Sequence, residues 1–231
     1  MNQEDVKDTL PKEKPKLLGM VTNPTEQFLK LKNTPVIWVP LIIISLLMMI
    51  GATITALNID YANDPELQES IEMLGIDEGL MIKFSAILVG LGSLLIPGLT
   101  ALISTIIYLV VALVIKKPVS FSQLYSMNVY ILFITALGVL FNALLSFVLT
   151  GDSTVMFTSL AAIIQTDNLM ITSMFSMIEV FTIWGLILTI IGLQKVANFS
   201  KQAAIIIVVG FYVLSLLFNL FTGWIATLNI L

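Results

Sequence analysis

The 231-residue chain is 58% hydrophobic and 11% charged, with a net charge of −4 and a mean hydropathy of +1.00. A soluble domain is about 45–50% apolar and about 25% charged, so this composition excludes a water-soluble globular protein and points to the integral membrane class. There is no Cys and no His, and all eleven basic residues are Lys; disulfides, thiolate and imidazole chemistry and guanidinium clamps on phosphate are excluded, and no nucleic-acid partner is expected.

Residues 1–21 are polar and mixed in charge, without an apolar run behind a basic stretch. They are expected to form a flexible cytoplasmic tail that is not a cleaved leader. Residues 22–34 carry a helix-start signal in "TNPTEQFLKLKNTP". Asn23 caps, Pro24 suits the first helical position, and Glu26 completes a reciprocal pair. Phe28 and Leu31 share one face, while Lys30 and Lys32 are placed to reach phosphates. The expectation is a short amphipathic helix lying on the membrane surface.

From residue 35 the chain reads as an all-α polytopic bundle of five transmembrane helices. Apolar stretches long enough to cross about 30 Å of hydrocarbon occur at about 35–57, 87–115, 127–149, 169–193 and 203–228. Ten of the eleven lysines fall on one side of this layout, with Lys83 the exception. The positive-inside rule then places the N-terminus in the cytoplasm and the C-terminus outside. The loop from Asn58 to Leu80 holds seven acids and no Lys; it reads as a solvated outer loop, with a short helix in "DPELQESIEML". Its acids lack calcium-loop spacing, so no metal site is expected.

Pro97 and Gly98 interrupt the second span and predict a kink. The third and fifth spans carry similar words, "GVLFNALLS" and "SLLFNLFTG". Gly138, Asn142 and Ser146 share one face, as do Ser215, Asn219 and Gly223. Small residues permit close helix approach, and Asn can bond across it, so both faces are expected to point into the bundle. Gly185 and Gly192 mark a further small face on the fourth span.

Glu179 is the only acid within a predicted span. It falls about two residues from the centre of the fourth span, with no Lys at that depth. It is therefore expected as a neutral acid that donates a hydrogen bond, with Asn142 and Asn219 as partners and Thr135 or Ser215 as substitutes. The reading of this group as a clasp tying three spans stands beside a proton-responsive one. No nucleophile motif, metal motif, aspartate pair or Walker loop is present, so no catalytic residue, cofactor or metal is expected.

The link "KKPVSFSQLYSMNVY" (116–130), with "NPTEQFLKLKNTP" before the first span, resembles the Yip1-domain family of five-span membrane proteins, in its bacterial branch. Pro24 and Phe28 match the family's proline-phenylalanine helix. Ser120, Phe121 and Tyr125 match its Ser-Phe-x-x-x-Tyr-like element. The Asp-Leu-Tyr-Gly-Pro element of eukaryotic members is missing here. The resemblance implies a multi-pass cell-membrane protein that is not an enzyme. It further implies support for the assembly or activity of ABC-type exporters of peptides or antimicrobials. The expected partner surface is cytoplasmic and comprises Lys116, Lys117, Ser120, Phe121, Tyr125, Pro24 and Phe28. The partners expected are the bilayer and exporter subunits, with self-association left open. The alternative is a small permease or channel that uses Glu179, Asn142 and Asn219.

Overall fold

A computed structural model of the protein describes residues 13–58, 73, 75, 77–149, 156–164, 166 and 168–228. Residues 1–12 of the tail and residues 59–72 of the acidic loop, with most of its expected short helix, lie outside the described residues.

Two short helices come first, α1 (Gly19–Thr22) and α2 (Pro24–Asn33). They are followed by α3 (Trp38–Leu57), α4 (Glu78–Ser93), α5 (Ile96–Val114) and α6 (Phe121–Leu149). A 3-10 turn at Leu160–Ala162 precedes α7 (Leu169–Met177), α8 (Val180–Lys195) and α9 (Lys201–Leu228). Among the described residues, the helices long and apolar enough to cross a membrane are α3, the α4–α5 pair, α6 and α9. The protein is a multi-pass integral membrane protein of all-α class.

Local chemistry sets the ends of these helices. Asp77 caps α4 by accepting from the Leu80 N–H at 3.0 Å. At Leu94 and Leu95 the backbone bonds shorten to the residue three back. Pro97, lacking an N–H, then enters α5 in its first turn. The predicted kink is thus a tight turn between two helices. At the far end of α5, Lys116 is left-handed (φ 55), and the Lys117 N–H reaches the Ala112 carbonyl at 2.8 Å. This is a Schellman-type stop, and Pro118 bars continuation. Asn198 (φ 55) does the same work after α8, a conformation that Asn tolerates better than most residues.

Helix α6 is the centre of the molecule. It packs against α3, α5 and α8, while α9 leans on α7 and α8. Leu124, Met127, Tyr130 and Ile134 of α6 are fully buried. Close approach is made at glycines: a Cβ on Gly51 of α3 would lie 3.3 Å from the Leu140 backbone of α6. The apolar faces of α9 stay largely exposed, as expected for a helix that meets lipid.

One expected span is corrected. The stretch 169–193 is not one continuous helix. It is a 9-residue helix, α7, and a 16-residue helix, α8, separated at Ile178 and Glu179. The cause is local pairing. The backbone at Thr158 to Leu160 runs antiparallel to Ile178 to Val180, with Leu160 N–H on Ile178 O at 2.9 Å and Val180 N–H on Thr158 O at 3.1 Å. Those bonds take backbone groups that a continuous helix would have used.

Candidate functional site

The N-terminal segment is built into the bundle rather than laid on its surface. Asn23 accepts from the Glu26 N–H at 3.4 Å, and its amide donates to the Glu26 carboxylate at 2.8 Å. The cap forms as the spacing predicts, but Glu26 accepts from the Asn23 side chain, because the Asn23 backbone N–H is already on the Gly19 carbonyl at 2.8 Å. The helix so started turns Phe28 and Leu31 inward, both 0% exposed. Phe28 reaches Gly192 of α8, where an added Cβ would lie 3.3 Å from Cε1 of Phe28 and 2.8 Å from the Met127 sulfur. Gly192 thus lets α2, α6 and α8 meet; Gly185 has nothing within 4 Å of such a Cβ among the described residues and makes no comparable contact.

Polar bonds tie the same end of the molecule. The Tyr130 hydroxyl donates to the Pro15 carbonyl at 3.1 Å, and the Lys16 N–H donates to Gln27 Oε1 at 2.8 Å. Ser126 Oγ donates to the Val36 carbonyl at 2.7 Å and accepts from the Val36 N–H at 3.0 Å, pinning the entry to α3. Gln123 donates to the Lys32 carbonyl at 2.7 Å, and Lys32 Nζ donates to Asn198 Oδ1 at 2.7 Å. Lys30 is held between Glu13 and Glu26, each at 2.6 Å. That pairing depresses the Glu13 carboxyl below its ordinary value and raises the Lys30 ammonium above its own; the hydrogen bond to the partner is the main cause in each case. Lys30 and Lys32 are therefore engaged within the protein instead of reaching for phosphates.

Of the expected partner surface, Lys116, Lys117, Ser120 and Phe121 are exposed. Phe121, at 44% exposure, stacks on Tyr125 with ring centroids 5.6 Å apart. Tyr125 is half-buried and donates to the Gly98 carbonyl at 3.2 Å, just past the α4–α5 break. Pro24 is half-buried at the start of α2. Phe28 must be removed from the surface, because its ring is wholly inside the core.

The second polar cluster lies at the other end of α8. Glu179 is 5% exposed and caps α8, its Oε2 accepting from the Thr182 N–H at 2.7 Å. Its Oε1 accepts from the Thr158 hydroxyl at 2.5 Å. Thr158 Oγ1 in turn accepts from Asn142 Nδ2 at 2.7 Å, and the Thr158 N–H donates to Asn142 Oδ1 at 3.1 Å. That backbone N–H needs an oxygen opposite it, so the Asn142 amide has one orientation, and its nitrogen falls on the hydroxyl. The hydroxyl proton is then left for Glu179. Both side-chain oxygens of Glu179 are thus engaged, Oε2 by the first turn of α8 and Oε1 by Thr158.

The other expected partners fall elsewhere. Asn142 is 8% exposed and also donates to the Gly138 carbonyl at 3.0 Å. A Cβ on Gly138 would lie 2.7 Å from Phe181, so this face packs on α8. Asn219 does not meet Glu179; it accepts from Ser173 of α7 at 3.0 Å. Ser215 is exposed and bonds its own helix at Phe211, so the Ser215 side of that face does not point inward. Thr158, the hub of the cluster, sits in a loop that span-counting passes over. Its only sequence signal is a Thr-Ser pair set among apolar residues in "MFTSLAA".

The Yip1 domain model matches residues 18–223. The chain is 31% identical over 214 residues to "Membrane protein YknW" of Bacillus subtilis (strain 168), covering 91% of each chain. No solved structure matches it.

Proposed function

The chain belongs to the Yip1 domain family, and on that premise we propose that it is an accessory subunit of an ABC-type exporter. It is a non-enzymatic membrane protein of the YknW-like branch. Its finer role, in this reading, is to bind the exporter's membrane subunits at the lysine-rich, cytoplasmic end and so support export of peptides or antimicrobials.

One observation carries the proposal: Phe121, stacked on Tyr125, stands exposed beside Ser120, Lys116 and Lys117 on a link whose two ends are fixed. The Lys116 stop fixes one end. The bonds of Gln123 and Ser126 to the α2–α3 connection fix the other. A rigid aromatic with adjacent cations suits a protein interface, where aromatic anchors carry much of the binding energy.

The broken helix at Glu179 supports the permease reading, since broken helices build transport sites. Against it, the carboxylate oxygens already have donors within the protein. Purification in mild detergent followed by mass spectrometry tests the proposal. Exporter membrane subunits should co-purify, and the chain alone in liposomes should carry no flux. Flux by the isolated chain, with no co-purifying transporter, would favour the permease.

A further inference from the structure

A groove of about 500 Å³ opens between residues 14–18 and the first turns of α3. Its walls are apolar, formed by Leu17, Leu18, Val39 and Ile43, and Tyr130 is part of its lining. Lys14 and Lys16 line it as well, both exposed, and among the described residues no carboxylate does. The nearest acid in sequence, Glu13, has its carboxylate on Lys30. The wall made by residues 14–18 is preformed: Pro15 is buried, with its carbonyl on Tyr130, and the Lys16 N–H is on Gln27.

The depth of the groove is marked by Trp38, 75% exposed in the first turn of α3. Tryptophan gathers at the level of lipid headgroups. Below it, Val39, Ile42, Ile43 and Leu46 form an exposed apolar stripe continuous with the groove wall. Two cations at headgroup depth above an apolar track fit one class of ligand. We infer that this groove binds one anionic phospholipid, its phosphate between Lys14 and Lys16 and an acyl chain along α3. A zwitterionic lipid presents no net charge to the two lysines, and a protein segment has no reason to follow a lipid-facing stripe. Juxtamembrane lysines each favour anionic lipid, so two of them make a preference of about tenfold or more.

Native mass spectrometry of the delipidated full chain tests this, titrating phosphatidylglycerol against phosphatidylcholine of the same acyl chains. The expected result is one phosphatidylglycerol retained about tenfold more tightly than phosphatidylcholine. The double variant Lys14→Gln, Lys16→Gln should lower phosphatidylglycerol retention to the phosphatidylcholine level with unchanged melting. Lys83→Gln, an exposed lysine away from the groove, should change nothing. Val39→Trp, which fills the groove with both lysines in place, should also lose the lipid, and glycerol phosphate without acyl chains should not compete. Equal retention of the two lipids by the native chain, undiminished retention by the double variant, or efficient competition by glycerol phosphate would overturn the inference.

Discussion

The Thr158 hydroxyl donates to the Glu179 carboxylate at 2.5 Å while accepting from Asn142 at 2.7 Å. One loop threonine thereby connects the central helix to the break between α7 and α8. It explains how Glu179 is carried in an otherwise apolar stretch: the helix is interrupted, and both side-chain oxygens find partners.

This relationship sets an order of severity for variants. Thr158→Val keeps the shape but leaves Asn142 and Glu179 each short of a partner. It should cost about 1–3 kcal/mol. Glu179→Leu strands the Thr158 hydroxyl and removes the cap of α8, and should cost at least as much. Glu179→Gln should cost less than Leu, because the amide oxygen can still accept from Thr182 and its nitrogen can donate to Thr158 Oγ1. Thermal melting in one detergent ranks the three. Equal melting for Leu and native protein would show that the cluster does not hold the break together.

Glycines provide a paired test of packing. Gly138→Ala puts a methyl within 2.7 Å of Phe181 and should destabilise by about 1–3 kcal/mol through overpacking. Gly185→Ala, with nothing within 4 Å among the described residues, should be neutral or gain up to about 1 kcal/mol from helix propensity. Comparable losses for both would contradict the contact assigned to Gly138.

Much of this layout is legible in the sequence, and the parts that are not share a cause. Hydropathy alone locates the apolar stretches, because a bilayer demands length and continuity. The Asn23 cap is readable because it is local. Pro97 is readable as a break for the same reason. The interruption at Glu179 is not readable, because it depends on bonds from Thr158 and Leu160, about twenty positions upstream, in a loop that carries no helical pattern. Phe28 misled in the same way. Its face is visible as apolar, but only Gly192, far along the chain, decides that it enters the bundle rather than the lipid.

The lysine asymmetry predicts a topology that can be read directly, since the chain has no Cys. A single cysteine at Lys117 should be protected from an impermeant thiol reagent in intact cells. One at Gly79, exposed near the start of α4, should be labelled. The reverse pattern would invert the orientation and move the proposed partner surface outside.

The Glu13–Lys30 pair gives a pH signature. Glu13 is held below its ordinary 4.5, so its contribution is present above that value and is lost as pH falls through the lower folded one. Lys30 is held above 10.5, so its contribution is present below that value and is lost as pH rises through the higher one. Near neutral pH the tether is intact. A carboxyl titration of Glu13 by NMR in micelles should show the depressed midpoint, and Lys30→Gln should return it to the ordinary range. An unchanged midpoint in that variant would dismiss the pairing.

The exporter reading is tested most directly by the exposed link itself. The triple variant Lys116→Gln, Lys117→Gln, Phe121→Ala should keep the native fold, because none of the three side chains is buried. Affinity purification of both forms from matched membranes, with the exporter's membrane subunits quantified by mass spectrometry, is the measurement. Native protein should bring the exporter down, and the triple variant should lose it by about tenfold or more. Equal recovery of the exporter by the two forms, or no exporter with either, would contradict it.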